Sequence, residues 1–186
     1  MPRPCSGVLS ALALACLAVA PALAAQTASA PDSLTNPISA SLAQQYEPLK
    51  EYIVKAAEEM PAADYGFKPT PKIRTFGQIV GHVADAEYEF CAGLRGVANP
   101  QKSSAEKLTS KAQLVKTLSE AFAYCDDPFR GAHDAAMNDK VMMFGETHTR
   151  LYSMVSNISH ANEHYGNMVI YLRLRGLVPP SSMPTK

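Results

Sequence analysis

Apolar side chains recur every three or four residues in four separate windows of this sequence, and a proline or glycine follows each window. In the first, Ile38, Leu42, Tyr46, Leu49, Ile53 and Ala56 or Ala57 form one stripe in a stretch dense in Ala, Leu, Glu, Lys and Gln, and Pro61 ends it. In the second, from Arg74 to Leu94, the stripe is Phe76, Ile79, Val80, Val83, Ala86, Phe90 and Leu94, with Gly96 and Pro100 as the stop. A third helix opens at Ser110, where Gln113 three residues later completes a capping-box pattern, and carries Leu114, Leu118, Ala121, Phe122 and Cys125 inward to about Phe129–Ala132. The fourth and longest runs from about Thr147 to Arg175 and stops at Gly176 before Pro179 and Pro180. Between them lie a Pro/Gly loop at 62–72, a polar linker at 101–108 and a connection at 133–146. No internal repeat and no strand pattern is evident. Four amphipathic helices with polar connections predict an all-α, up-down four-helix bundle over residues 37–186.

The first 25 residues read differently. Arg3 precedes an apolar run from Val8 to Ala20, followed by Pro21 and an A-x-A arrangement at Ala22 and Ala24, the order of parts in a secretory signal peptide. The run falls short of the roughly 20 residues of a membrane span, and no later segment approaches that length, so no stable membrane anchor is expected. A lipoprotein reading through Cys16 competes, but Ala13 stands three residues before that cysteine, where Leu is usual. Cleavage after Ala24 or Ala25 would leave a periplasmic or secreted chain, with residues 26–36 as a disordered, Ala/Ser/Thr/Pro-rich leader. With 17 basic and 17 acidic side chains and no basic stripe, the composition argues against nucleic acid as a partner. Two cysteines, Cys5 and Cys16, leave with the signal peptide. The two that stay, Cys91 and Cys125, form a disulfide in an oxidising compartment, or else two free thiols buried in helices.

The chemistry concentrates in three histidines. His160 and His164 sit four apart in the middle of the fourth helix, so both rings lie on one face, roughly 6 Å apart along the axis. His82 lies at the edge of the second helix's apolar stripe and can point obliquely into the bundle. Three neutral imidazoles leave an open coordination position on one divalent ion, the arrangement that activates water when the ion is zinc. Asp85 and Glu89, one and two turns after His82, are the candidates to orient a ring or act as a base. The competing reading is a set of hydrogen-bonded core histidines, and His133 and His148 read as ordinary solvent-facing residues. Tyr165, Tyr171, Met154 and Met168 read as core before anything chemical. There is no G-x-S-x-G, phosphate-binding glycine loop, C-x-x-C or acidic calcium loop.

The segment HVADAEYEF, together with HANEHYGNMVIYLRLRGLVPPSS at the C-terminus, resembles the DinB-like (DNA-damage-inducible) metal-binding superfamily. The resemblance spans about Ile38 to Ser182 and is strongest in the last helix. It implies a four-helix bundle holding one divalent ion, zinc or nickel, on His82, His160 and His164, and it implies that homodimers occur. Members of the superfamily include thiol-dependent S-transferases and isomerases that use bacillithiol or mycothiol. An exported chain would not meet a cytosolic thiol, so hydrolysis of a small molecule is the expected reaction, with S-transfer as the variant the resemblance suggests. A non-catalytic bundle stapled by its ion is the alternative.

Overall fold

The computed structural model describes Met1 and residues 32–184. The signal-peptide reading of residues 1–25 and the leader reading of residues 26–31 fall outside those residues. Four helices form where the apolar periodicity places them: α1 (Pro37–Glu59), α2 (Phe76–Arg95), α3 (Lys111–Arg130) and α4 (Arg150–Leu174). Each end has a local cause. Thr75 accepts from the Gln78 amide while the Gln78 side chain accepts from the Thr75 amide, a reciprocal cap that starts α2. Gly96 ends α2 in the left-handed conformation at φ 68°. Thr149 caps α4 by accepting from the Tyr152 amide. The capping box expected at Ser110 and Gln113 is not made; Ser110 is the N-cap of α3, but its side chain holds no capping hydrogen bond.

The start of α1 corrects two further expectations. Residues 32–36, read as part of a disordered leader, form a turn, and Asn36 accepts from the Asp134 amide through its side chain. The Asp134 carboxylate in turn accepts from the backbone amides of Ile38 and Ser39 and from the Ser39 hydroxyl, so α1 takes its cap from a residue almost a hundred positions on. Ile38, expected in the stripe, is 45% exposed, because Ser39 occupies the buried position beside this cap.

The remaining correction is a β-hairpin. Residues 133–146 were expected to be an irregular connection, yet β1 (Lys140–Met143) pairs antiparallel with β2 (Glu146–Thr149), with Val141 opposite His148. Phe144 and Gly145 make the turn at φ 49° and 83°. Val141 and Met143 face inward, and Met143 joins Ala86 and Phe90 of α2 in a small apolar cluster apart from the main core. Gly93 permits this approach, since a Cβ there would run into the carbonyl of Met142.

Around the bundle the helices follow the order α1, α3, α2, α4: α2 packs on α3 and α4, and α1 packs on the same two. Consecutive helices α1 and α2 therefore stand across the bundle, as do α3 and α4, and long connections serve both crossings. That order makes α2 and α4 neighbours. Tyr46, Ile53, Phe76, Leu118, Phe122, Phe129, Met154, Met168 and Leu172 fill the interior. Cys91 of α2 and Cys125 of α3 are joined as a disulfide, with Cα atoms 5.3 Å apart. Closing that loop stabilises the fold by about 3–4 kcal/mol in the chain-entropy description. Among the described residues no helix is long and apolar enough to cross a membrane.

Candidate metal centre

The neighbouring faces of α2 and α4 bring the three sequence-predicted histidines together. The Nε2 of His160 lies 3.2 Å from that of His82 and 3.1 Å from that of His164. His82 and His160 are half-buried, and His164 is 7% exposed. Burial, reinforced by the other two histidines, pulls the pKa of His160 down to about 4. His164 also falls to about 4, through burial and then the charges of His82 and Arg74. His82 is lowered by burial and Arg74, against the opposing pull of Glu106 and Asp85. All three rings are accordingly neutral at pH 7, the state in which a ring nitrogen offers a lone pair to a cation.

Hydrogen bonding alone serves this cluster badly. The single Nε2 of His160 faces two other Nε2 atoms, and a neutral ring nitrogen either donates one proton or accepts along one lone pair. One of the two close contacts is therefore left without a proper hydrogen bond. A cation receiving all three lone pairs removes that conflict. Ligand nitrogens about 2.0–2.1 Å from a tetrahedral zinc stand about 3.3–3.4 Å from one another, close to the separations seen here. The three side chains thus fit a single divalent ion.

The loop that completes the site was hidden in what reads as a polar linker. Residues Ala105–Lys107 form a short 3-10 turn laid against α2. Gly81 makes this possible: a Cβ at that position would lie 2.6 Å from the carbonyl of Ala105 and from Cα of Glu106. The turn carries Glu106 to His82, with Oε2 3.6 Å from Nδ1, while Oε1 accepts from Nε of Arg74 at 2.9 Å. Glu106 is thus the carboxylate nearest Nδ1 of His82, on the opposite side of the ring from the Nε2 that faces His160. The Nδ1 atoms of His160 and His164 have no protein partner, so those two rings depend on the packing of α4.

Asp85 and Glu89, the carboxylates expected to orient a ring or act as a base, make their hydrogen bonds with the loop. Asp85 accepts from the side chain of Gln101, the hydroxyl of Ser104 and the amide of Ala105, and Glu89 accepts from Asn99. Both hold the 99–106 loop on α2, and their hydrogen bonds engage the loop, not a ring. Their helical spacing from His82 aims them at the loop's flank, and the loop then presents its own acid. The one signal in the sequence was Gly81 itself, a helix-interior glycine beside His82, which marks a close backbone approach.

A cleft of about 680 Å³ opens at His164 and is lined by Lys72, Arg74, Glu106, Glu163 and Tyr171 among others. On the other side Phe90 stands 5.8 Å from the ring of His160 and packs edge-on against Phe144 at the hairpin tip. The histidines therefore sit between a polar cleft and an apolar wall. His133 is exposed, and His148 is stacked on Tyr152 on the hairpin, away from the cluster. Met154 and Met168 are core residues, and Tyr171 donates its hydroxyl to the Arg74 carbonyl at 2.6 Å.

The family model described as the DinB superfamily matches residues 45–168. No curated protein matches the chain. Among solved structures, a DinB-like protein from Bacillus cereus is 17% identical with a TM-score of 0.64, over 75% of this chain and 93% of that one. A conserved protein from Enterococcus faecalis is 17% identical with a TM-score of 0.58, over 72% and 94% of the two chains. YfiT from Bacillus subtilis, described as a probable metal-dependent hydrolase with an unusual four-helix bundle topology, is 16% identical with a TM-score of 0.58, over 78% and 99%. At these identities the likeness is one of fold.

Proposed function

Because this chain belongs to the DinB superfamily, we propose that it is an exported metal-dependent hydrolase of small molecules, with one divalent ion on His82, His160 and His164. The observation that carries this reading is the convergence of three neutral Nε2 atoms at the wall of an open cleft. When bound, such an ion supplies Lewis acidity and makes water nucleophilic near neutral pH. Zinc suits this donor set and nickel also accepts imidazole, so the donors alone do not choose between them.

The chain's own residues supply the rest. Glu106 stands beside Nδ1 of His82, and Arg74 holds Glu106 in place. Glu163, the second carboxylate of the cleft that His164 lines, makes no ion pair among the described residues, which supports it as the group that accepts a proton from water. Phe90 and Phe144 exclude solvent from one side. Glu89, two turns after His82, accepts a hydrogen bond from Asn99, which supports an open, catalytic site over a structural staple closed by a fourth carboxylate ligand.

Two features support export: the signal-peptide pattern of residues 1–25 and the Cys91–Cys125 disulfide, which belongs to an oxidising compartment. A panel of small esters, amides and thioesters assayed with metal-loaded protein tests the enzyme reading. Turnover that requires the ion and falls at least tenfold in Glu163→Gln is expected. Absence of turnover across the panel, with the ion bound, would favour a structural ion instead.

A further inference from the structure

The cleft has a charge pattern that the hydrolysis reading does not use. Three cationic side chains, Lys68, Lys72 and Arg74, line it against two carboxylates, Glu106 and Glu163. The cations all come from the loop before α2, whereas Glu163 lies on α4, so the positive charge is gathered on one wall. Imidazole is an uncharged ligand, so a divalent ion on three histidines would keep its full charge beside that wall.

Arg74 is the best placed of the three. Its Nε is engaged by Glu106 Oε1, and the opposite oxygen of that carboxylate faces His82, so the guanidinium stands one carboxylate away from the ring. Its terminal nitrogens hold no hydrogen bond among the described residues, and its side chain is 44% exposed to the cleft. The backbone beneath it is fixed, because the Tyr171 hydroxyl donates to its carbonyl. A guanidinium held by Nε with its outer edge open is a fork suited to an oxyanion. Lys72, two residues earlier, widens that positive wall, while Lys68 turns its ammonium onto the carbonyl of Pro71 at 3.2 Å.

We infer that the cleft selects small acyl compounds bearing an oxyanion, with the reacting group at the histidines and the anionic group on Arg74 and Lys72. This rests on the metal reading above and adds to it a substrate class. A further consequence is that cationic and neutral compounds of the same shape are discriminated against.

The test uses the cobalt-loaded full-length mature protein and hydroxamates that share one metal-binding group but differ in their tails. Binding is followed by the visible absorption of the cobalt. Succinate monohydroxamate is expected to bind about tenfold or more tighter than butyrohydroxamate, and β-alanine hydroxamate weakest. A phosphonate-tailed hydroxamate is compared with the carboxylate; either order between them upholds the inference and tells which oxyanion fits better. Lys72→Gln and Arg74→Gln should each reduce the preference for the anionic tails. Butyrohydroxamate affinity is the internal control, and cobalt stoichiometry is measured for each variant because Arg74 also supports Glu106. Equal affinity for all tails, or a preference that survives in both variants, overturns the inference and leaves the metal centre standing. Failure of the wild type to take up cobalt overturns the metal centre itself, and the inference with it.

Discussion

Replacing Gly81 with Ala tests the chain of cause from a single missing side chain to the metal. The added Cβ would lie 2.6 Å from the backbone of Ala105 and Glu106, against at least 3.4 Å for ordinary contact, so the loop must retreat by about 0.8 Å. Backbone does not rotate away as a flexible side chain would, and overpacking of this kind costs about 1–3 kcal/mol. Alanine's better helix propensity returns about 0.5–1 kcal/mol, leaving a net loss of about 1 kcal/mol, or roughly 3 °C in Tm. The larger effect falls on the site. Moving Glu106 away from His82 Nδ1 frees the ring, and loss of such a partner typically weakens metal binding by about 10–100-fold. Competition titration against a chromophoric chelator measures the affinity, and thermal melts of the metal-free protein measure the fold. Two controls separate the links. Gly166→Ala, on the same helix as His160 and His164 with nothing within 4 Å of its Cβ, should stabilise by up to about 1 kcal/mol and leave metal affinity unchanged. Glu106→Gln should lose affinity as Gly81→Ala does, with little change in the metal-free melt. Wild-type metal affinity in Gly81→Ala would falsify the role given to this loop.

Glu87 is fully buried beside the disulfide with Asn157 donating to it, and burial pushes its pKa up to about 8 from 4.5. The folded state therefore binds its proton more tightly than the unfolded chain, so its contribution to stability is complete below pH 4.5 and is lost as pH rises towards 8. The slope approaches about 1.4 kcal/mol per pH unit at most. Denaturant titrations across that range should show the decline in the wild type and its loss in Glu87→Gln; the same slope in both would remove the assignment. Reducing Cys91–Cys125 should lower stability by about 3–4 kcal/mol in the same titrations, and an unchanged midpoint would count against a structural bridge. His160 and His164 are held neutral down to about pH 4, so acid should displace a bound ion near or below that pH. Half-release near pH 6.5, followed by elemental analysis after desalting, would contradict the burial described for these rings.

Much of the fold was legible because a helix repeats its apolar face often enough to be read without tertiary information. The stripes of α1, α2 and α3, the glycine stops at Gly96 and Gly176 and the pairing of His160 with His164 all depend on that period. The hairpin was not legible. Its second strand, Glu146–Thr149, is polar along its length, and a Phe at positive φ in the turn replaces the Asn or Asp that usually announces such a hairpin. Capping was legible as chemistry but not as choice: Thr75 with Gln78 and Ser110 with Gln113 share one pattern, and only the first is made. Glu106 was missed because its position depends on a backbone approach, at Gly81, that no periodicity encodes. The hydrogen bonds of Asp85 and Glu89 were not legible for the same reason, since their spacing on α2 is compatible with the ring and those bonds go to the loop.

Elemental analysis of the purified, metal-loaded and desalted protein bears most directly on the centre, with His82→Ala, His160→Ala and His164→Ala prepared alongside. One divalent ion per chain in the wild type and far less in each variant is the expected result. No stoichiometric metal in the wild type, or undiminished metal in any one of the three, would mean that these imidazoles do not share a cation.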